Sequence, residues 1–321
     1  MGRREVPEIT VIIPTMNRPE VLERNLTALA ASEGIDFKGL EVIVVDDGST
    51  TDATRRVVKR IQEEAPFTLL PLHQENAGQA RARNLAMKRA QGRIWLFLND
   101  DTIPTPGLLT AHLRSHRDHP EEESGILGRA TLAPEIPMTT ARALHLDHMW
   151  RQIHGLQELE WYHFWTTNAS VKAAFFQRHT LEFDPEIRFV HDDTEMGFRL
   201  HHHGFRLFYA PEALGYHYHA ITEKNFLLMA EREATSLSYW ARKRPDALGD
   251  LARFGYTPAK KAWERRIKYP LLLPVFNSFT SPIWQVLARM SSRPIPPLAR
   301  FLLSQCYAAR KRRHLARIHR S

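Results

Sequence analysis

Cysteine is almost missing. Cys306 is the only one in 321 residues, which excludes a disulfide scaffold and a cysteine-rich zinc module and suits a reducing compartment. Neither G-x-x-x-x-G-K-[ST] nor a G-x-G-x-x-G after the first strand-like run occurs, so the phosphate loop and the dinucleotide fingerprint are excluded. Gly-Arg-Arg-Glu follows Met1 and leads straight into that run without an apolar signal core, so no cleaved signal is expected. Internal repeats are lacking too. Long uncharged runs are rare; residues 269–288 form the one of spanning length. Pro270, Pro274 and Pro282, with Asn277, Ser278, Thr280 and Ser281, would leave its backbone unpaired in lipid, and no bilayer-crossing helix is expected. What is present is ordinary: 43% apolar, 25% charged and 10% aromatic residues exclude disordered and fibrous classes.

Acids are nearly absent from one end. Residues 259–321 hold 14 lysines and arginines against Glu264 alone, whereas the preceding residues carry slightly more acids than bases, although the whole chain is +8. Such a basic end serves nucleic acid or an anionic membrane surface. Interleaved apolar residues favour the membrane: Trp263, Tyr269 and Trp284 suit headgroup depth. An amphipathic pattern of Leu298, Phe301, Leu302 and Cys306 leads into Arg310-Lys311-Arg312-Arg313. The alternative is that this apolar face packs on the rest of the protein and the basic end is solvated. The expectation is a cytoplasmic protein, peripheral at the inner face of the cell membrane, with no nucleic-acid partner.

The first hundred residues alternate as βαβ units. Strands are predicted over 9–14, 41–45, 67–72 and 93–98, and helices over 19–32, 52–63 and 78–90. Residues 120–159 show little pattern. Helices are predicted over 168–178, 192–203 and 224–244, with a strand over 205–210. Polar clusters end three of the early strands, and in open α/β sheets ligands bind at that edge.

Those clusters are acidic. Asp46-Asp47 and Asn99-Asp100-Asp101 end two predicted strands. Converging carboxylates repel unless a cation or hydrogen-bond donors share them, and hard oxygen ligands suit Mg²⁺ or Mn²⁺. Turn formation is the plainer reading of either pair alone. A nucleotide would be held by the turn Pro14-Thr15-Met16-Asn17, the Asp46-Asp47 loop, Arg81 or Arg83, and a divalent ion. The run His201-His202-His203 is assigned to surface and packing, because successive helical residues point about 100° apart. Glu195 and Arg199 have the spacing of a helical ion pair, with product phosphate as the alternative partner for the arginine.

The segments VIIPTMNRPEVLERNLTAL, EVIVVDDGSTDAT and NAGQARARNLAMKRAQGRIWLFLNDDTIP, then FWTTNASVKAAFF and HDDTEMGFRLHHHGFRLFYAPEALGYHYH, together resemble family 2 glycosyltransferases over roughly residues 8–220. The resemblance implies a GT-A fold, a Rossmann-like α/β mixed sheet flanked by helices. It implies a GT-A domain over 1–222, with a nucleotide-binding half to 118 and an acceptor half to 222. Outside the resemblance, residues 223–321 are expected to form a basic, helical, membrane-associating extension. The resemblance implies transfer from a nucleotide-diphosphate sugar, a UDP-sugar for preference, to a saccharide or lipid-linked acceptor with inversion; retention stays open. Pro14, Thr15, Asn17, Asp46, Asp47, Arg83 and Asp100 match the nucleotide-contacting positions. Asn99-Asp100-Asp101 stands in place of Asp-x-Asp, which shifts the metal to Asp101, with His217 or His219 completing its shell. Asp192-Asp193 matches the family's acidic pair, with Asp193 as general base, and Trp165 and Asn168 match the sugar-lining segment. A nucleotidyltransferase and a non-catalytic binding protein on the same scaffold are the competing readings.

Overall fold

The apolar runs of the first hundred residues become the parallel part of one mixed sheet. In the computed structural model, which describes residues 6–256 and 297–319, they are β1 (Ile9–Thr15), β2 (Leu40–Asp47), β3 (Thr68–Gln74) and β4 (Ile94–Leu98). They lie side by side in the order 3-2-1-4, all parallel. β1 and β4 are buried along their whole length, as strands covered on both faces must be. The chain returns through α1 (Pro19–Ala30), α2 (Ala53–Glu64) and α3 (Gln79–Met87). Pro19 opens α1 at a position that needs no amide hydrogen. Leu22, Leu26 and Leu29 then repeat at helical spacing and bury completely against Val11, Val42 and Leu96. Each such leucine contributes about 1.5–3 kcal/mol relative to exposure.

Beyond β4 the sheet becomes mixed. β5 (Thr102–Pro104), β6 (Ser124–Leu132), β7 (Glu158–Leu159), β8 (Asn168–Lys172) and β9 (Arg206–His217) extend it in the order 4-8-6-9-5, with β7 also on β9. β8 runs antiparallel to β4 and β6, and β9 runs parallel to β6. The helices of this stretch are α4 (Leu108–Asp118), the short α5 (Thr140–Arg142) and α6 (His148–Gln152), then α7 (Ala173–Arg178) and α8 (Asp192–His202).

Two features depart from the sequence expectation. The helix predicted over 168–178 is a central strand for its first five residues, and only α7 is helical. Asn168 and Ser170 sit fully buried in β8 because α4 supplies their partners: His112 Nε2 lies 2.9 Å from Asn168 Oδ1, and His116 Nε2 lies 2.8 Å from Ser170 Oγ. Burial lowers both histidines' pKa, His112 to about 4 and His116 well below the usual range, so neutral rings fill the network. The weakly patterned stretch 120–159 contains the long strand β6. Its Gly125 and Gly128 disguise it, yet a Cβ at either would strike Phe205 or Asn168.

Two compact units are distinguishable. The first comprises the residues up to Ile136 with 150–188 and 192–219, and holds the whole sheet; the second takes 137–149, 189–191 and the residues from Ala220. In the second, α9 (Glu223–Lys243), capped by Thr222, is followed by α10 (Leu248–Leu251) and, later, α11 (Pro297–Ile318). Leu302, Leu303 and Cys306 of α11 bury with Phe226 and Leu227 of α9. The apolar pattern expected to meet a membrane is therefore largely turned inward, although Phe301 stays 47% exposed. Trp263, Tyr269, Trp284 and the run 269–288 lie outside the described residues. Among the described residues, no helix is long and apolar enough to cross a membrane.

Candidate active site

Parallel register brings the ends of β1, β2 and β4 to one sheet edge. Thr15 pairs with Asp46, and its Oγ1 donates to Asp100 Oδ2 at 2.7 Å. Asn25 of α1, fully buried, donates to the carbonyls of Asn99 (3.2 Å) and Thr102 (2.7 Å) and so fixes the turn that presents Asp100 and Asp101. β5 then pairs with β9, placing Thr102 opposite His217, and the Tyr218 amide donates to the Asp101 carbonyl at 2.7 Å. Alternate residues of an extended chain share a face, so both candidate histidines reach the same acid. His217 Nε2 stands 3.1 Å from Asp101 Oδ1, and His219 Nδ1 stands 3.2 Å from Oδ2.

Arg18 completes this cluster, although nothing in the sequence pattern gives it a site role. Its guanidinium bridges Asp100 Oδ1 and Asp101 Oδ2, each at 2.6 Å, while its side chain remains 45% exposed. The only local signal for it is a base directly after the Pro14–Asn17 turn. Burial pushes Asp100 up to about 7, with Arg18 opposing and Asp101 adding to the rise. Burial acts to raise Asp101 as well, but His217, His219 and Arg18 hold it well below the usual carboxylate range. The two neighbouring carboxyls thus differ sharply, with Asp101 the one kept ionised.

The β2 end is tied down by hydrogen bonds. Asp47 accepts from Gln74 Nε2 (2.7 Å) and from the Ala77 and Gly78 amides (2.8 and 2.9 Å), which organises the entry to α3. Asp46 accepts from the Ser49 amide at 2.9 Å. Asn17, at φ 54°, accepts from the Thr50 amide at 2.8 Å and locks the β1 turn to the β2 loop. Pro14 is a buried residue of β1 itself.

Behind this edge, Arg83 is only 1% exposed. It donates to Asp192 Oδ2 at 2.6 Å, to Gln79 Oε1 at 3.2 Å and to Asn99 Oδ1 at 3.4 Å. Asn99 therefore turns toward Arg83 rather than joining Asp101 and the histidines. Arg81 instead pairs at the surface with Glu186. Burial pushes Asp192 up to about 6, with Arg83 opposing and Asp193 adding. Asp193, half-buried in the first turn of α8, accepts from the Thr194 amide (2.7 Å) on Oδ1 and from the Thr166 amide (3.3 Å) on Oδ2. Trp165 is 9% exposed, with the rings of Trp150 and His163 each 5.3 Å away. Asn168 is wholly buried, and its amide nitrogen donates to the carbonyls of Arg129 and Ala213; it has no surface to offer a sugar. Arg199 pairs with Glu195 at 2.8 Å, and His201, His202 and His203 are exposed.

One carboxylate oxygen and two imidazole nitrogens from Asp101, His217 and His219 lie within 4.8 Å of one another. That mixed donor set fits Mn²⁺, which accepts nitrogen ligands, better than Mg²⁺, which favours oxygen. Asp193, half-buried in the first turn of α8, has the chemistry of a general base.

Known proteins resemble this chain in sequence and fold. It is 29% identical over 279 residues to a validoxylamine A glucosyltransferase of Streptomyces hygroscopicus subsp. jinggangensis, covering 77% of this chain and 63% of that protein. A GalNAc(5)-diNAcBac-PP-undecaprenol β-1,3-glucosyltransferase of Campylobacter jejuni is 35% identical over 106 residues, about a third of each chain. The chain thus spans about three-fifths of the length of the validoxylamine relatives. A mannosyltransferase from Pyrobaculum calidifontis, solved with GDP-Man and Mn²⁺, superposes with TM-score 0.65 over 97% of this chain and 87% of its own, at 19% identity. TarS 1–349 of Staphylococcus aureus, solved with UDP, superposes with TM-score 0.53 over 98% and 91%, at 14% identity. The expected GT-A architecture, a mixed sheet flanked by helices, is the one observed. The sequence model described as glycosyl transferase family 2 matches residues 10–177, more than half of the chain, and the chain belongs to that family.

Proposed function

We propose that this protein transfers a sugar, with inversion, from a nucleotide-diphosphate donor to an acceptor hydroxyl, for cell-envelope polysaccharide or glycolipid synthesis. The observation that carries the reading is the cluster of Asp101, His217 and His219 in a family 2 chain, with Asp100 on Thr15 next to it. Arg83, which donates to both Asp192 and Asn99, links the Asp192–Asp193 pair to the same turn. A UDP-sugar is the donor we favour. Thr15, Asn17, Asp46, Asp47 and Asp100 belong to the nucleotide side. There the hydrogen bonds of Asp47 and Asn17 hold the loop rather than leaving it to be ordered on binding.

A divalent ion on Asp101, His217 and His219 would offset the charge growing on the departing diphosphate. The chain's own part is proton handling and alignment. Asp193 takes the proton of the acceptor hydroxyl as that oxygen bonds to the anomeric carbon and the bond from carbon to diphosphate oxygen breaks. Its Oδ2, with one long contact to the Thr166 amide, is the oxygen suited to receive that proton. Asp192, locked by Arg83, fixes the start of α8. Trp165, one residue before the Thr166 that contacts Asp193, is assigned to the sugar-lining wall.

Manganese-dependent hydrolysis of UDP-glucose, UDP-galactose, UDP-N-acetylglucosamine and GDP-mannose tests the reading. At least one should be cleaved, the same donor should raise the unfolding temperature with Mn²⁺ present, and inactivity with all four sinks the proposal.

A further inference from the structure

A cavity of about 340 Å³ lies away from the sheet edge just described, at the opposite edge, where β9 begins. Its wall includes Glu158, Glu160, Trp161, His201, Gly204 and Arg206. The volume is within the range of small-ligand pockets, roughly 300–1,000 Å³. Nothing in the proposed transfer step uses these residues.

The lining points to one chemistry. Trp161 is half-buried and fixed by near-perpendicular contacts with Tyr162 (5.5 Å) and Phe198 (5.4 Å). α8 can approach it because residue 197 is glycine; a Cβ there would run into the Trp161 carbonyl. Gly204, at φ 82°, adds a stretch of bare backbone. Charged and polar side chains share the cavity wall with it. Glu158 and Arg206 pair through two hydrogen bonds of 2.8 Å, and Glu160 and His201 are exposed. Two carboxylates against one guanidinium disfavour a phosphate or an anionic headgroup. Four ionisable groups disfavour an acyl chain. A neutral sugar fits both: its C–H face packs on an aromatic ring, and its hydroxyls satisfy forked donors and acceptors.

The cavity is separate from Asp193. Between Asp193 and His201 the helix rises about 12 Å at roughly 1.5 Å per residue, and that stretch is closed by packing. Gly197 lies under the Trp161 carbonyl and Phe164, and Met196, Leu200 and Phe164 are fully buried.

We propose that the cavity binds a neutral oligosaccharide at a site separate from Asp193. The binding does not rest on the transferase reading. Calorimetric titration of the full chain, without donor or metal, with maltotetraose, cellotetraose, mannotetraose and chitotetraose tests it. At least one should bind. Trp161→Ala should weaken that binding about tenfold or more, the scale of a lost aromatic anchor. The double variant Glu160→Ala, His201→Ala alters only exposed side chains and should also weaken it with an unchanged melting temperature, while Asp193→Asn should bind as the parent does. Binding of none of the four, or unaltered binding in both cavity variants, overturns the assignment. If cavity-dependent binding appears but no donor is ever used, the cavity stands and the transferase reading falls. Donor turnover without oligosaccharide binding leaves the transferase standing and removes the cavity's role.

Discussion

Two adjacent carboxylates in α8 have been given different work by their surroundings. Asp192 is buried against Arg83, and removing either partner would leave an uncompensated buried charge. Asp193, one residue on, is half-buried and accepts only from amides and a hydroxyl on its own side of the site. Asp193→Asn keeps the shape and the Thr166 contact but removes the basic oxygen. Transfer should fall by about 10²–10⁴, the usual worth of a positioned base. Donor affinity, read by calorimetry with Mn²⁺, should stay within about twofold, since binding precedes proton removal. Equal loss of affinity and rate would make Asp193 a ligand or a structural residue. At this scale the sequence was a partial guide. Asp101 and the histidines stood out by type and position, whereas Arg18 sits on an exposed turn and acquires meaning only when Asp100 and Asp101 fold against it.

Among elements, the pairing of α9 with α11 shows how a buried charge can report on folding. Glu233 of α9 is contacted by His191 Nε2 at 3.1 Å and Lys311 Nζ at 2.8 Å, and the Tyr307 hydroxyl donates to it at 2.7 Å. Burial acts to raise its pKa, but His191 and Lys311 prevail and hold it at about 2. A depressed acid stabilises the fold above its unfolded pKa and loses that contribution as pH falls from about 4.5 toward about 2. Asp192 and Asp100, raised to about 6 and about 7, work in the opposite sense, since their protonation favours the folded state. Their gain is complete below the ordinary aspartate range, so denaturant melts should show the loss in the parent at the acid end of this range, and Glu233→Gln should be less stable at neutral pH with a flatter acid limb. Parallel limbs would show that Glu233 does not drive the loss. Elements were legible in proportion to how far their partners lay within them. β1, β2 and β4 are apolar runs that announce buried strands. β8 is not legible locally, because Asn168 and Ser170 are tolerated in mid-sheet only through His112 and His116, more than fifty residues earlier.

At the scale of the molecule, the uneven charge bears on how the protein would meet an anionic surface. All the excess positive charge lies in residues 259–321, and α11 has committed Leu302, Leu303 and Cys306 to the interior. An insertion driven by that helix's apolar face would first have to dismantle its packing with α9. Any attachment through α11 would therefore be chiefly electrostatic, with Arg317 among its exposed bases. Each lysine or arginine near an anionic leaflet contributes about 1 kcal/mol, within a screening length of about 8 Å at physiological salt. The full chain should sediment with phosphatidylglycerol-containing vesicles at low salt, ignore purely phosphatidylcholine vesicles, and be released at roughly 0.5 M salt, where the screening length falls to about half its physiological value. Reversing charge at Arg317 should lower the salt needed for release without altering the melting temperature, because that side chain is solvated in the folded chain. Retention on neutral vesicles at high salt would instead mean apolar insertion, with the aromatic run around Tyr269 and Trp284 rather than the basic helix as the anchor.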